Sequence, residues 1–184
     1  MQPSPRNQSR SGPSAILRTG CALLCLIFIL AGAALFQDQS PRKLPQKQEL
    51  RVTRVNDGDT VTCTGPDHER IQVRLKNIDA PELAQPAGPD AKTALQQKLS
   101  RGAIHVEGGE LDQYGRLLGT LWISDRNINL EMVEDGWAWA YCGKHPDRQI
   151  LQAEDSARRK KRGLWADALP ERPSQWRKAH PRGD

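Results

Sequence analysis

Apolar positions along this chain follow two periods, and the change between them marks the elements. Ile71-Gln72-Val73-Arg74-Leu75-Lys76 alternates strictly, which predicts a strand with Ile71, Val73 and Leu75 toward a core and Arg74 on the opposite face. Leu50 to Val55 and Thr60 to Cys63 are β-branched runs on either side of Asn56-Asp57-Gly58-Asp59, a strong turn signal, so together they predict a hairpin. Ala103 to Glu107 and Leu117 to Ile123 predict two further strands, with the polar stretch from Gly108 to Arg116 turning between them. Helical spacing takes over at Ala91, Ala94, Leu95 and Leu99, between Gly88-Pro89-Asp90 and Gly102. Asn129 is placed to cap a short helix through Val133 that stops at Gly136, and Pro146 to Arg162 predicts a longer helix closed by Gly163. The resulting order, β-β-β-α-β-β-α-α, lacks the regular βα alternation of a doubly wound sheet. It predicts a small antiparallel barrel with helices packed outside it.

One apolar stretch belongs to neither period. Cys21 to Phe36 is a run of 16 residues without a charge, preceded by a polar segment carrying Arg6, Arg10 and Arg18. It reads as a targeting segment outside the fold, with Ala31 and Ala33 forming an A-x-A-like cleavage signal and a length short of the roughly 20 residues that span a bilayer comfortably. A cleaved signal peptide is the preferred reading and an uncleaved membrane anchor the alternative. Under either, the basic residues stay cytoplasmic and the remainder is exported, to the periplasm or beyond. Residues 1–36 are thus the targeting segment, 37–48 a polar linker with Pro41 and Pro45, 49–168 the folded domain and 169–184 a C-terminal tail.

The length of 184 residues suits one domain with extensions, expected to act as a monomer. The formal charge of +5 weakens as evidence for a nucleic-acid partner once the leader is set aside: three of the 27 cationic residues and none of the 22 acidic ones precede Phe36, leaving +2. Cys63 and Cys142, 79 residues apart, would meet an oxidising compartment, where a disulfide and two unpaired thiols remain equal alternatives. His68, His105, His145 and His180 show no metal-ligand spacing and there is no CxxC, which argues against a zinc site.

Two acidic motifs carry candidate chemistry. Asp57-Gly58-Asp59-Thr60 lies in the hairpin turn, and Asp79-Ala80-Pro81-Glu82 follows directly on the Arg74 strand. Carboxylates are hard oxygen ligands suited to Ca²⁺ or Mg²⁺, and a pair on adjacent strand ends can share one ion. An EF-hand is excluded by counting, because with Asp57 at position 1 the fifth and twelfth positions fall on Val61 and His68. The cationic counterpart is Arg74 together with Arg116, which ends Asp112-Gln113-Tyr114-Gly115-Arg116. Guanidinium forks match phosphate oxygens, so two of them beside a metal suit a phosphodiester that gains negative charge in its transition state. Each motif alone is more often a solvated turn or a surface arginine.

Their order along the chain is far more specific. Asp-Gly-Asp-Thr, Val-Arg-Leu, Asp-Ala-Pro-Glu, Gly-Pro-Asp-Ala, Asp-x-Tyr-Gly-Arg, Asn129 to Val133 and Gly163-Leu164-Trp165 follow one another from about Leu50 to Trp165, and this series closely resembles the staphylococcal nuclease (thermonuclease) family. The resemblance implies an OB-fold barrel of five strands with three helices. It implies Ca²⁺ held by the carboxylates of Asp59 and Asp79 and the carbonyl of Ala80, a scissile phosphate bound by Arg74 and Arg116, and Glu82 as general base. It further implies that Tyr114 and Tyr141 contact the nucleotide, and that the 5′-oxygen leaves, giving 3′-phosphate ends on DNA or RNA. Ala80 stands where the type member has a hydroxyl residue, Gln113 where a lysine would bind a terminal phosphate, and the loop from Glu82 to Pro89 is shorter.

Other features read as structural. The run Arg158 to Arg162 complements a helix C-terminus, and Trp122, Trp137, Trp139 and Trp165 alternate with aliphatic residues as core or rim packing. Two other functional classes compete with the hydrolase: an OB-fold module that grips single strands with little catalysis, and an envelope-anchored interaction protein. A degenerate binder would have lost some of Asp59, Arg74, Asp79, Glu82 and Arg116, and all five are present.

Overall fold

The computed structural model describes residues 47–100, 104–141, 143, 146–166 and 170–181. The apolar run, Cys142 and the linker as far as residue 46 lie outside them. Strand β1 (Lys47–Val55) turns through Asn56 to Asp59 into β2 (Thr60–Thr64), which pairs in turn with β3 (Arg70–Leu75). After the short β4 (Ile78–Asp79) comes helix α1 (Gly88–Leu99), then β5 (Ile104–Leu111), β6 (Leu117–Ile123) and β7 (Arg126–Asn127). Helix α2 (Ile128–Glu134), β8 (Trp139–Ala140), α3 (Arg148–Arg159), a 3₁₀ turn at Gly163–Ala166 and α4 (Pro173–Ala179) complete the chain.

The sheet runs β3-β2-β1-β5-β6-β7, and an additional pairing of β3 with β6 closes five of these strands into an OB-fold barrel. Every ladder in it is antiparallel except that closing one, where Val73 faces Leu117 and Leu75 faces Gly119 in parallel register. The barrel is therefore mixed, where alternation alone led to a wholly antiparallel one. Register shifts between Val52 and Arg54 and between Glu107 and Glu110 supply the bulges that let a short sheet curl onto itself. The predicted alternation holds on β3: Ile71, Val73 and Leu75 are buried in the core with Val61, Val106, Leu117 and Leu121, while Arg74 takes the other face.

Helix α1 has the predicted span and buries Ala91, Leu95 and Leu99. Helix α3 starts later than predicted because Asp147 caps it, its carboxylate accepting the Gln149 and Ile150 N–H groups. Helix α2 corrects the reading of Asn129. Asn127 is the cap, accepting the Leu130 N–H, and Asn129 lies inside the helix, 2% exposed. Its carboxamide accepts the Leu121 N–H at 3.0 Å and donates to the Lys76 and Gly119 carbonyls at 3.0 and 3.1 Å. It stitches the end of β3 to β6 beside their parallel ladder, where short strands leave few backbone bonds. Asn129→Ala orphans one buried N–H and the Lys76 carbonyl, while the Gly119 carbonyl keeps the Lys76 N–H at 2.8 Å, so the expected loss is about 2 kcal/mol, read as a lower urea midpoint at unchanged slope. A change under about 1 kcal/mol would remove Asn129 from the closure.

The tryptophans pack as anticipated. Trp139 and Trp165 are buried edge to face with centroids 5.3 Å apart, and the Arg158 guanidinium lies 4.0 Å over the Trp165 ring while bonding Glu154. That gives the first cation of the Arg158 to Arg162 run a structural task. Cys63 is a free, buried thiol, pushed by burial up to about 12. Among the described residues no helix is long and apolar enough to cross a membrane.

Candidate active site

The hairpin turn delivers the first carboxylate. Asp57 Oδ1 accepts the Asp59 N–H at 3.0 Å and the Asn56 N–H bonds the Thr60 carbonyl, so the turn closes on itself and points Asp59 inward. Gly58 permits this approach: a Cβ there would stand 2.7 Å from that of Ala80 and 2.9 Å from that of Ala91. The close contact brings Asp59 Oδ2 to 2.7 Å from the Ala80 N–H, while the Thr60 hydroxyl donates to Oδ1. Asp59 is 6% exposed, and this burial pushes its carboxyl up to about 7, against the pull of Arg74 and with added repulsion from Asp57 and Asp79.

Asp79 is set opposite by the two-residue ladder between β4 and β8, facing Trp139, and is also 6% exposed. Arg74 joins the two acids. Its Nη2 lies 3.1 Å from Asp59 Oδ2 and 3.1 Å from Asp79 Oδ1, and its Nη1 donates to the carbonyls of Leu75 and Ile78 at 2.8 and 2.9 Å. A strand face chosen by simple alternation thus becomes a guanidinium locked by four oxygens, 16% exposed at the side chain.

Glu82 follows on a compact loop. The Gln85 N–H bonds the Glu82 carbonyl at 2.8 Å, the Gly88 N–H bonds the Gln85 carbonyl at 2.9 Å, and the buried Gln85 side chain accepts the Glu82 N–H. Gly88 makes the loop tight, since a Cβ there would sit 2.0 Å from the Glu82 carbonyl oxygen. A short loop, in this arrangement, constrains Glu82 closely.

Arg116 stands apart from that cluster. Its Nε and Nη2 each reach Asp112 Oδ2 at 2.7 Å, and its guanidinium lies 5.4 Å over the Tyr114 ring. Burial disfavours charge on Asp112, but the N–H groups of Arg116 and Tyr114 and the Arg116 guanidinium outweigh it and hold the carboxyl below its usual range. Arg116 is nevertheless near Arg74 along the sheet. It immediately precedes β6, two residues before Leu118, the register partner of Arg74, which sets it beside the start of the β3–β6 ladder. Tyr114 and Tyr141 are 74% and 57% exposed; Tyr141 follows β8 and its N–H bonds the Asn77 carbonyl next to β4.

One residue of this cluster escaped the sequence reading. Arg177, on helix α4, donates from Nη1 to Asp79 Oδ1 at 3.2 Å and Glu82 Oε1 at 2.9 Å, and from Nη2 to Asp79 Oδ2 at 3.1 Å. The stretch after residue 168, expected as a tail, therefore reaches the acidic cluster. No periodicity announces it, although Trp176 and Arg177 stand out in composition.

The donor set bears on what ion fits. Among the described residues no group of three or more His, Cys, Asp or Glu is arranged to hold a metal. Two buried carboxylates converging on one guanidinium nitrogen are instead a hard, anionic oxygen pair, which suits Ca²⁺ or Mg²⁺ completed by carbonyl, water and phosphate oxygens and does not suit zinc. Asp59, forced up by burial, is a group that a divalent cation would relieve.

Residues 72–167 match the family model described as staphylococcal nuclease homologue. A Haemophilus influenzae protein named as an uncharacterized endonuclease is 41% identical over 133 residues, covering 72% of this chain and 75% of its own. The Escherichia coli protein named ParB is 40% identical over 147 residues, with 73% and 82% covered. The Shigella flexneri protein named micrococcal nuclease is 39% identical over 139 residues, with 70% and 79% covered.

Proposed function

Since the chain belongs to the staphylococcal nuclease family, and is a nuclease by that membership, we propose that it is a Ca²⁺-dependent phosphodiesterase that cleaves DNA or RNA to 3′-phosphate ends. The observation that carries this reading is the convergence of Asp59 and Asp79, both buried, on the Arg74 guanidinium, with Glu82 on the loop that leaves Asp79. Asp59 and Asp79, with the Ala80 carbonyl, would hold the ion. When bound, Ca²⁺ supplies positive charge that polarises the phosphate without a proton transfer.

The protein's own groups do the rest. Arg74 meets the scissile phosphate from β3 and Arg116 from the foot of β6, and their fixed forks neutralise the charge that develops on its oxygens. Glu82 takes a proton from water as the water oxygen bonds to phosphorus. The bond to the 5′-oxygen breaks on the opposite side, and the leaving oxygen picks up a proton from solvent. Exposed Tyr114 and Tyr141 offer faces against which sugar and base rest. The apolar run Cys21 to Phe36 supports an exported enzyme, either released or held by its leader, that meets its substrate outside the cytoplasm as a monomer.

The test is to incubate the purified chain with single-stranded DNA and with RNA, in Ca²⁺ or in chelator, and to label the product ends. Degradation only with Ca²⁺, leaving ends that accept a 5′-label without phosphatase, is the expected result. Equal cleavage in chelator would refute the metal assignment, and 3′-hydroxyl ends would refute the direction of cleavage.

A further inference from the structure

Arg177 sits on the two carboxylates that the proposed reaction uses most directly, and the arithmetic of their lone pairs is restrictive. A carboxylate oxygen accepts two hydrogen bonds in the plane of its group. Asp79 Oδ1 already accepts from Arg74 Nη2 at 3.1 Å and Arg177 Nη1 at 3.2 Å, and Oδ2 accepts from Arg177 Nη2 at 3.1 Å. Three of the four lone-pair positions of Asp79 are thus taken and the open one lies on Oδ2, the oxygen that Arg177 already holds, so a cation that coordinates Asp79 directly either crowds Arg177 on that oxygen or displaces one of the two arginines. Arg74 is the harder to dislodge, since its other nitrogen is bound to the Leu75 and Ile78 carbonyls and its side chain is 16% exposed. Arg177 is 44% exposed at the side chain.

Charge points the same way. Asp59 and Asp79 face Arg74, and Asp79 and Glu82 face Arg177, so three neighbouring carboxylates stand against two guanidinium charges and removing Arg177 would leave one. The excess of two negative charges is halved by Arg177 and would be cancelled by one divalent ion. Both at once would put two cations on the same oxygens, where mutual repulsion at about 4 Å is strong in a partly buried setting.

We propose that Arg177 is a tethered counter-ion of the acidic site: it occupies Asp79 and Glu82 in the metal-free protein, competes with the divalent cation for them, and withdraws when the cation binds. The way the arm is mounted fits this exchange. Helix α4 buries only Pro173, and Trp176 stacks on His180 of its own segment at 3.8 Å. Its base is held more firmly, by the Gln85 side chain donating to the Glu171 carbonyl at 2.6 Å and by Arg172 near Glu154. The tip can leave while the root stays at the rim. Departure also takes the guanidinium at 2.9 Å away from Glu82 Oε1, which lets water approach that oxygen as the metal arrives. Arg177 thereby sets how much cation the nuclease needs before it cuts.

This inference rests on the calcium reading above, and calorimetric titration of the full chain with CaCl₂ separates the two. Arg177→Ala is expected to bind Ca²⁺ about tenfold tighter than the wild type, the scale of one charge-assisted contact, with Arg177→Lys between them. Thermal melts in chelator check that each variant is folded. An independent arm uses the unaltered protein: amide hydrogen exchange across residues 173–179 is expected to accelerate when Ca²⁺ is added and to return with chelator. Equal or weaker Ca²⁺ binding by Arg177→Ala, or exchange in that segment that ignores Ca²⁺, overturns the competition and leaves the calcium reading standing. Absence of Ca²⁺ binding in both wild type and variant overturns the two together.

Discussion

Replacing Arg74 with alanine is expected to cut cleavage by about 10³-fold and to destabilise the metal-free protein by about 3 kcal/mol. Both effects come from one guanidinium. Asp59 and Asp79, each 6% exposed, lose the cation they share; Asp79 keeps Arg177, but Asp59 is left as a buried acid whose guanidinium partner is gone. The Leu75 and Ile78 carbonyls lose their donor as well. Arg74→Lys separates charge from shape. A lysine restores the point charge and part of the stability, yet cannot serve two carboxylates, two carbonyls and a phosphate from one ammonium. Urea denaturation and initial rates on the same samples check both predictions, and near-normal turnover by the lysine variant would show that the fork is not needed.

The second large effect belongs to Glu82. Glu82→Gln keeps the outline of the side chain and the Gln85 and Gly88 turns that hold its backbone, but it has no basic oxygen at neutral pH. Turnover should fall by about 10³-fold while binding of single-stranded DNA changes by less than about threefold. Stability should move little, since the charge lost is partly exposed. Retention of more than a tenth of the wild-type rate would remove Glu82 from the proton transfer.

What the sequence made legible was local or ordered along the chain. The alternation of Ile71, Val73 and Leu75 placed Arg74 on the outer face because a strand has a strict period of two, and Gly88 to Leu99 had both helical spacing and clear ends. Asn129 misled for a local reason. Asn127 and Asn129 are both good caps by residue type, and the choice between them was made by the buried amide and carbonyls of a distant strand. The parallel closure of β3 on β6 was equally out of reach, because nothing in either strand's pattern states its partner. Arg177 meets Asp79 and Glu82 across 98 and 95 residues, from a polar segment with no periodicity, so only the folded chain brings it into view.

The seam between β3 and β6 governs more than the shape of the barrel. Arg74 and Arg116 enter from its two banks, so the spacing between the cations belongs to the junction and to neither strand. Neither half of the chain carries a reduced version of the centre. The acids and the first guanidinium come from residues 59–82, the second from the hairpin beyond α1, and no single hairpin or loop can be trimmed down to a primitive catalyst. A centre of this kind depends on the β3–β6 ladder being closed.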